Sequence, residues 1–144
     1  IPLRLVGSEM CIRDRVGISL PKSAVIGGGL RIWHFGGIFV HPEAQIGRNC
    51  TLRQGVTIGN RVADGAVPVI GDDVEFGAYA QVLGAVRIGN GCRIGAMSVV
   101  LCDVPDGATA VGVPARIVGQ TDVSGLQKNI QENVSRIMRS GPER

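Results

Sequence analysis

The sequence predicts an all-β solenoid: short parallel strands wound into a β-helix and closed by a short C-terminal α-helix. Three observations carry this reading. Apolar residues recur at every sixth position along most of the chain, 22 of the 144 residues are glycine, and only five are aromatic. Glycine at about twice its usual share, with no Gly-X-Y period, excludes collagen, and 44% hydrophobic residues exclude a disordered chain. A helix would need apolar residues three and four apart, a spacing these positions lack.

Taken in order, Leu20, Ile26 and Ile32 open the series. Val40 follows after a step of eight, then Ile46, Leu52 and Ile58. Beyond an insertion, Ile70, Phe76, Val82, Ile88, Ile94 and Val100 continue without a fault. Glycine comes directly after the apolar residue at Gly27, Gly47, Gly59, Gly71, Gly77, Gly89 and Gly95, where it is expected to supply the backbone angles of a sharp corner. Four residues after the apolar position stands a small or apolar side chain: Ala24, Leu30, Ala44, Cys50, Val56, Val74, Ala80, Val86, Cys92 and Ser98. A six-residue unit cannot bury its apolar face alone. Stacked units can, because each inward residue then sits on its equivalent one coil away.

Two places break the period. Residues 32–39 (IWHFGGIF) contain the step of eight, with His34 in the irregular turn. Residues 59–69 (GNRVADGAVPV) must leave the coil as a loop. Departures from a regular scaffold are where sites are usually built.

The ends lie outside the repeat. Leu5–Arg15 (LVGSEMCIRDR) resembles a translated sequencing adapter, so residues 1–15 are expected to be a non-native segment and residues 16–119 the β-helix domain. In residues 120–144, Ser124 can cap a helix on which Leu126, Ile130, Val134, Ile137 and Met138 form one apolar stripe, ending before Gly141-Pro142. The net charge of +3 is scattered, so no nucleic-acid partner is expected. Apolar runs fall far short of the ~20 residues that span a bilayer, so no membrane insertion is expected. No CxxC occurs, and the few dispersed cysteines suggest a reducing compartment, the cytoplasm. Cys50 and Cys92 fall in the small inward slot and are expected to serve packing.

The pattern resembles the hexapeptide-repeat acyltransferases. Gly112-Val113-Pro114-Ala115-Arg116 (GVPAR) matches that family's closing motif, and residues 88–119 are similar to the last coil of serine O-acetyltransferases. The similarity extends through TLRQGVTIG (51–59) back to GISLP (17–21). It implies a left-handed parallel β-helix with three hexapeptides per coil, although parallel crossovers are otherwise right-handed. It also implies a homotrimer with each site between two subunits, and acetyl transfer from acetyl-CoA to the hydroxyl of a small molecule.

Under that resemblance His34 is the catalytic base, because imidazole, with an ordinary pKa near 6.5, can take a hydroxyl proton near neutral pH. The acetyl-CoA groove is implied at Ala78, Gly84 and Ala96, where side chains are small, with Arg93, Arg116 and the motif residues Pro114 and Ala115 toward the phosphates. His41 and Asp64 are candidates for contact with the acceptor. No metal is expected: the γ-carbonic anhydrases share the scaffold but need three histidines, and only His34 and His41 are present. Two family groups are missing. No carboxylate occupies Gly17-Ile18-Ser19, where serine acetyltransferases carry the aspartate that pairs with the histidine, and Val67 replaces a second histidine before Pro68. The acceptor is therefore expected to be serine or, alternatively, a sugar hydroxyl in surface-polysaccharide synthesis. A non-catalytic β-helix for binding or assembly is the alternative outside catalysis.

Overall fold

The computed structural model describes residues 17–120, and the N-terminal segment and the C-terminal apolar stripe lie outside the described residues. The chain forms β1 (Ile18–Ser19), β2 (Val25–Ile26), β3 (Arg31–Trp33), β4 (Ile38–Val40) and β5 (Gln45–Ile46). Next come β6 (Thr51–Arg53), β7 (Thr57–Gly59), β8 (Val69–Ile70), β9 (Glu75–Phe76) and β10 (Gln81–Leu83). Then follow β11 (Arg87–Ile88), β12 (Arg93–Ile94), β13 (Val99–Val100), β14 (Ala108–Val111) and β15 (Arg116–Gln120).

Every third strand stacks in parallel, giving the three faces of a β-solenoid. Face A is β1-β4-β7-β10-β13, face B is β2-β5-β8-β11, and face C is β3-β6-β9-β12-β14, with β15 antiparallel at its edge. The strands are so short that only alternate residues point inward, and those are the residues of the six-residue period. Face A stacks Val40, Ile58, Val82 and Val100. Face B stacks Ile26, Ile46, Ile70 and Ile88, and Val104 extends the column through a single parallel bridge. On face C, Ile32 lies against Leu52, and Phe76 against Ile94 and then Ala110. From Val40 to Val100 every inward residue of the period is at most 3% exposed. Leu20, Ile26 and Ile32, at the end of the described stack, are only partly buried.

The period does not reveal how the last coil shortens. Arg93 pairs with Thr109, sixteen residues on, where the regular coil has eighteen. Val104, Ala108, Ala110 and Ala115 extend the core past Val100, and β14 turns back into β15 through a cis Val113–Pro114 peptide.

The corner glycines act differently from the expectation. Those directly after the inward residue do not carry positive φ. The left-handed backbone falls two residues later instead, at Gly29, Asn49, Gly55, Asp73, Tyr79, Gly91 and Met97. What the first glycine supplies is room. A Cβ on Gly77 would lie 2.4 Å from the Ala96 nitrogen of the next coil, and one on Gly27 2.7 Å from the Arg48 nitrogen. Along the B–C corner this close approach lets side chains bond to the neighbouring backbone. The Asp72 carboxylate accepts from the Arg48 N–H at 2.7 Å, Asn90 from Asp72 at 2.7 Å, and Asp106 from Asn90 at 2.8 Å.

Candidate active site

The step of eight becomes a two-residue bulge at the C–A corner. On its near side Trp33 pairs with Arg53, twenty residues on. On its far side the Gly36 carbonyl accepts from Gly55 N at 2.8 Å, as the Gln54 carbonyl does from Tyr79 N one coil later. His34 and Phe35 are thus the two surplus residues, lifted out of register between neighbours that are in register. His34 adopts φ 63°, a left-handed conformation that costs energy outside glycine. Its imidazole is exposed.

Below the bulge the corner runs down one column. The register that joins Thr51 to Glu75 and Phe76 to Ile94 sets Gln54, Ala78 and Ala96 in line below the bulge, with Gly36 as their counterpart in its coil and His34 opening the bulge beside it. Adjacent strands lie about 4.8 Å apart, so the bulge, Gln54 and the two alanines sit on four successive levels of one shallow track. Ser98 holds the lower end, its hydroxyl accepting from Gly112 N at 3.1 Å. The track is flanked by exposed apolar side chains: Trp33, Phe35, Tyr79, Met97 and Val113.

The candidate residues divide between corners. Ala78, Ala96, Pro114 and Ala115 share the C–A corner with His34. Ala115 is buried, and its N–H bonds to the Val99 carbonyl at 2.8 Å. Arg116 opens β15 opposite Val111, and Arg93 lies on face C between Glu75 and Thr109; both are exposed. Gly84 is elsewhere, on the A–B corner, with the Arg61 side chain against it. His41 and Asp64 are also on the A–B corner, across face A from His34. His41 Nδ1 accepts from Glu43 N at 3.1 Å, which places the ring proton on Nε2. Asp64 is exposed in the extruded loop at φ 54°, and Asn60 braces that loop through a 2.9 Å bond to the Val62 carbonyl.

Cys50 and Cys92 are fully buried, as packing residues should be. Their thiols donate to the carbonyls of Gly71 at 3.2 Å and Pro105 at 3.0 Å, and burial raises both pKa values above the ordinary range. Sequence reasoning passed over Gln54 and Tyr79. Both were within reach by reading down the corner, Gln54 one coil below the bulge and Tyr79 two.

Six-residue units stacked on three parallel faces define a solenoid of hexapeptide repeats. Residues 68–102 match the family described as bacterial transferase hexapeptide (six repeats), and the chain is similar to serine acetyltransferases. It is 40% identical over 114 residues to the serine acetyltransferase of Mycobacterium tuberculosis, covering 78% of this chain and 50% of that protein. It is 43% identical over 102 residues to WcaB of Escherichia coli, a protein named for an acetyltransferase role in colanic acid biosynthesis, covering 70% of this chain and 63% of WcaB. Among solved structures, serine acetyltransferase of Neisseria gonorrhoeae in complex with serine superposes with TM-score 0.71 at 38% identity, over 77% of this chain and 46% of that one. A serine acetyltransferase complex with CoA superposes with TM-score 0.71 at 39% identity, over 76% and 46%. The chain thus spans about half the length of the serine acetyltransferases it matches.

Proposed function

We propose that this chain is the β-helix domain, residues 16–119, of an acetyl-CoA-dependent O-acetyltransferase whose base is His34. The observation that carries the reading is the C–A corner, where a strained, exposed histidine heads a track floored by Ala78 and Ala96. One imidazole nitrogen takes the proton of the acceptor hydroxyl as its oxygen attacks the thioester carbonyl. The C–S bond then breaks, and the imidazolium returns the proton to the departing thiolate, giving an acetyl ester and free CoA. The alanine track fits the pantetheine arm, and Arg93 and Arg116 supply guanidinium groups for the phosphates.

The reading makes the active protein a homotrimer. Trp33, Phe35, Tyr79 and Met97 are 54–72% exposed along the site's own corner, and a second copy would cover them. It also lets His41, Asp64 and Gly84, on the A–B corner, meet a neighbour's His34. Dependence on acetyl-CoA supports the cytoplasm as the place of the reaction. No described helix is long and apolar enough to cross a membrane.

Serine, in cysteine biosynthesis, is the first acceptor supported, because serine acetyltransferases are prominent among the relatives. A surface-polysaccharide sugar is the second, favoured by the absence of a carboxylate in residues 17–19 and by the likeness to WcaB. Turnover of acetyl-CoA with serine and with a panel of hexose acceptors separates them. His34→Ala should lower kcat about 10²–10⁴-fold while acetyl-CoA binding is kept. Near-parental turnover by that variant would remove His34 as the base.

A further inference from the structure

We propose that Gln54 is the positioning residue for His34, its side-chain oxygen accepting a ring N–H and so taking the part a carboxylate plays beside a catalytic histidine. The inference rests on the reading of His34 as the base. Among the described residues, Gln54 Oε1 is the one buried side-chain oxygen or nitrogen without a hydrogen-bond partner. A buried acceptor left unmade is costly, and such an atom in a folded protein calls for an explanation.

Its surroundings narrow the choice of donor. On the side of the following coil stands Ala78, whose side chain is a methyl group and donates nothing. The next N–H, that of Tyr79, is already spent on the Gln54 carbonyl at 2.8 Å, and the Tyr79 ring lies against Gly55. Arg53, the preceding residue, lies on the exposed outer face of β6. On the side of the preceding coil the chain leaves register after Trp33 and regains it at Gly36, whose carbonyl accepts from Gly55 N. The residue that opens the intervening bulge is His34. Its imidazole is exposed, and its ring N–H is the donor we assign to Oε1. An amide oxygen accepts from either nitrogen and holds one tautomer, freeing the other nitrogen to take the hydroxyl proton.

The test uses the two histidines of the full chain. In ¹⁵N side-chain spectra at alkaline pH, His41 serves as reference, its Nδ1 accepting from Glu43 N and its proton on Nε2. His34→Ala assigns the remaining ring. The expectation is a single neutral tautomer for His34 in the parent, retained in Gln54→Glu and replaced by a mixture in Gln54→Leu. With a turned-over acceptor, Gln54→Leu should lose about 10- to 100-fold in kcat, the worth of one hydrogen bond to a charged group, with the KM for acetyl-CoA little changed. Gln54→Glu should recover most of that loss. A mixed tautomer in the parent overturns the proposal even if Gln54→Leu does not fold. An unchanged ring in a folded Gln54→Leu overturns it too. A raised KM with kcat kept would hand Gln54 to the acyl donor instead. A parent that transfers no acetyl group would sink the functional reading and leave the ring spectra to judge the contact.

Discussion

Replacing Gly77 by alanine adds one methyl group where the backbones of two coils approach closely beside the candidate track. The new Cβ would lie 2.4 Å from the Ala96 nitrogen and 2.8 Å from its Cα. Ordinary contact needs about 3.5 Å or more, so the coils must part or the corner must twist. They are fastened there by Gly77 N to the Ile94 carbonyl at 2.8 Å and Met97 N to the Ala78 carbonyl at 2.9 Å. Overpacking costs about 1–3 kcal/mol, and weakening one of these bonds adds about 1, giving roughly 2–4 kcal/mol. At ~2.1 cal/mol/K per residue over about 100 residues, that lowers Tm by roughly 10–20 °C. Gly28→Ala is the control. A Cβ there meets nothing within 4 Å, and the residue is not among those with positive φ. Its Tm should hold or rise by a few degrees, through the lower entropy of the unfolded chain. Calorimetric melting of both variants decides. A Gly77→Ala protein melting within about two degrees of the parent would show that these glycines do not serve close approach. Equal damage from Gly28→Ala would return the reason to backbone angles.

Three further outcomes are expected. Ala96→Trp should fill the track and abolish acetyl-CoA binding by calorimetry while the circular dichroism stays parental, because Ala96 is exposed; undiminished binding would place the groove elsewhere. Deleting residues 1–15 should leave Tm within error, and a drop of several degrees would show that they belong to the fold. Among Cys50, Cys92 and Cys102, native alkylation at pH 8 followed by peptide mapping should modify only exposed Cys102. Burial raises the other two thiols above their unfolded pKa near 9, so their contribution is complete below that pH and is lost as pH climbs through the raised folded values. Melting should therefore weaken above pH 9, and rapid labelling of Cys50 in the folded protein would contradict its burial.

What the sequence reveals follows from what repeats. Burial recurs with every strand, so a period of six picks out the inward columns, and Val40 through Val100 are buried where it puts them. The site obeys a longer rule. A side chain's neighbours lie one coil away, and the coil varies: Arg31 pairs with Thr51 twenty residues on, Thr57 with Gln81 twenty-four on, Gln81 with Val99 eighteen on. Counting by six preserves inside and outside across such changes, but it loses track of which corner a residue occupies. That is why Gly84, small and in phase, reads as part of the same groove as Ala78 and Ala96 while standing on another corner. It is also why Gln54 escapes notice: the two surplus residues that expose His34 displace it from the eighteen-residue spacing at which a partner would be sought. The surplus lifts the imidazole out of register at the corner where, one coil on, the Gln54 side-chain oxygen is buried without a partner. On the proposed reading, one irregularity in the coil thus accounts for both the base and the need for a positioning partner.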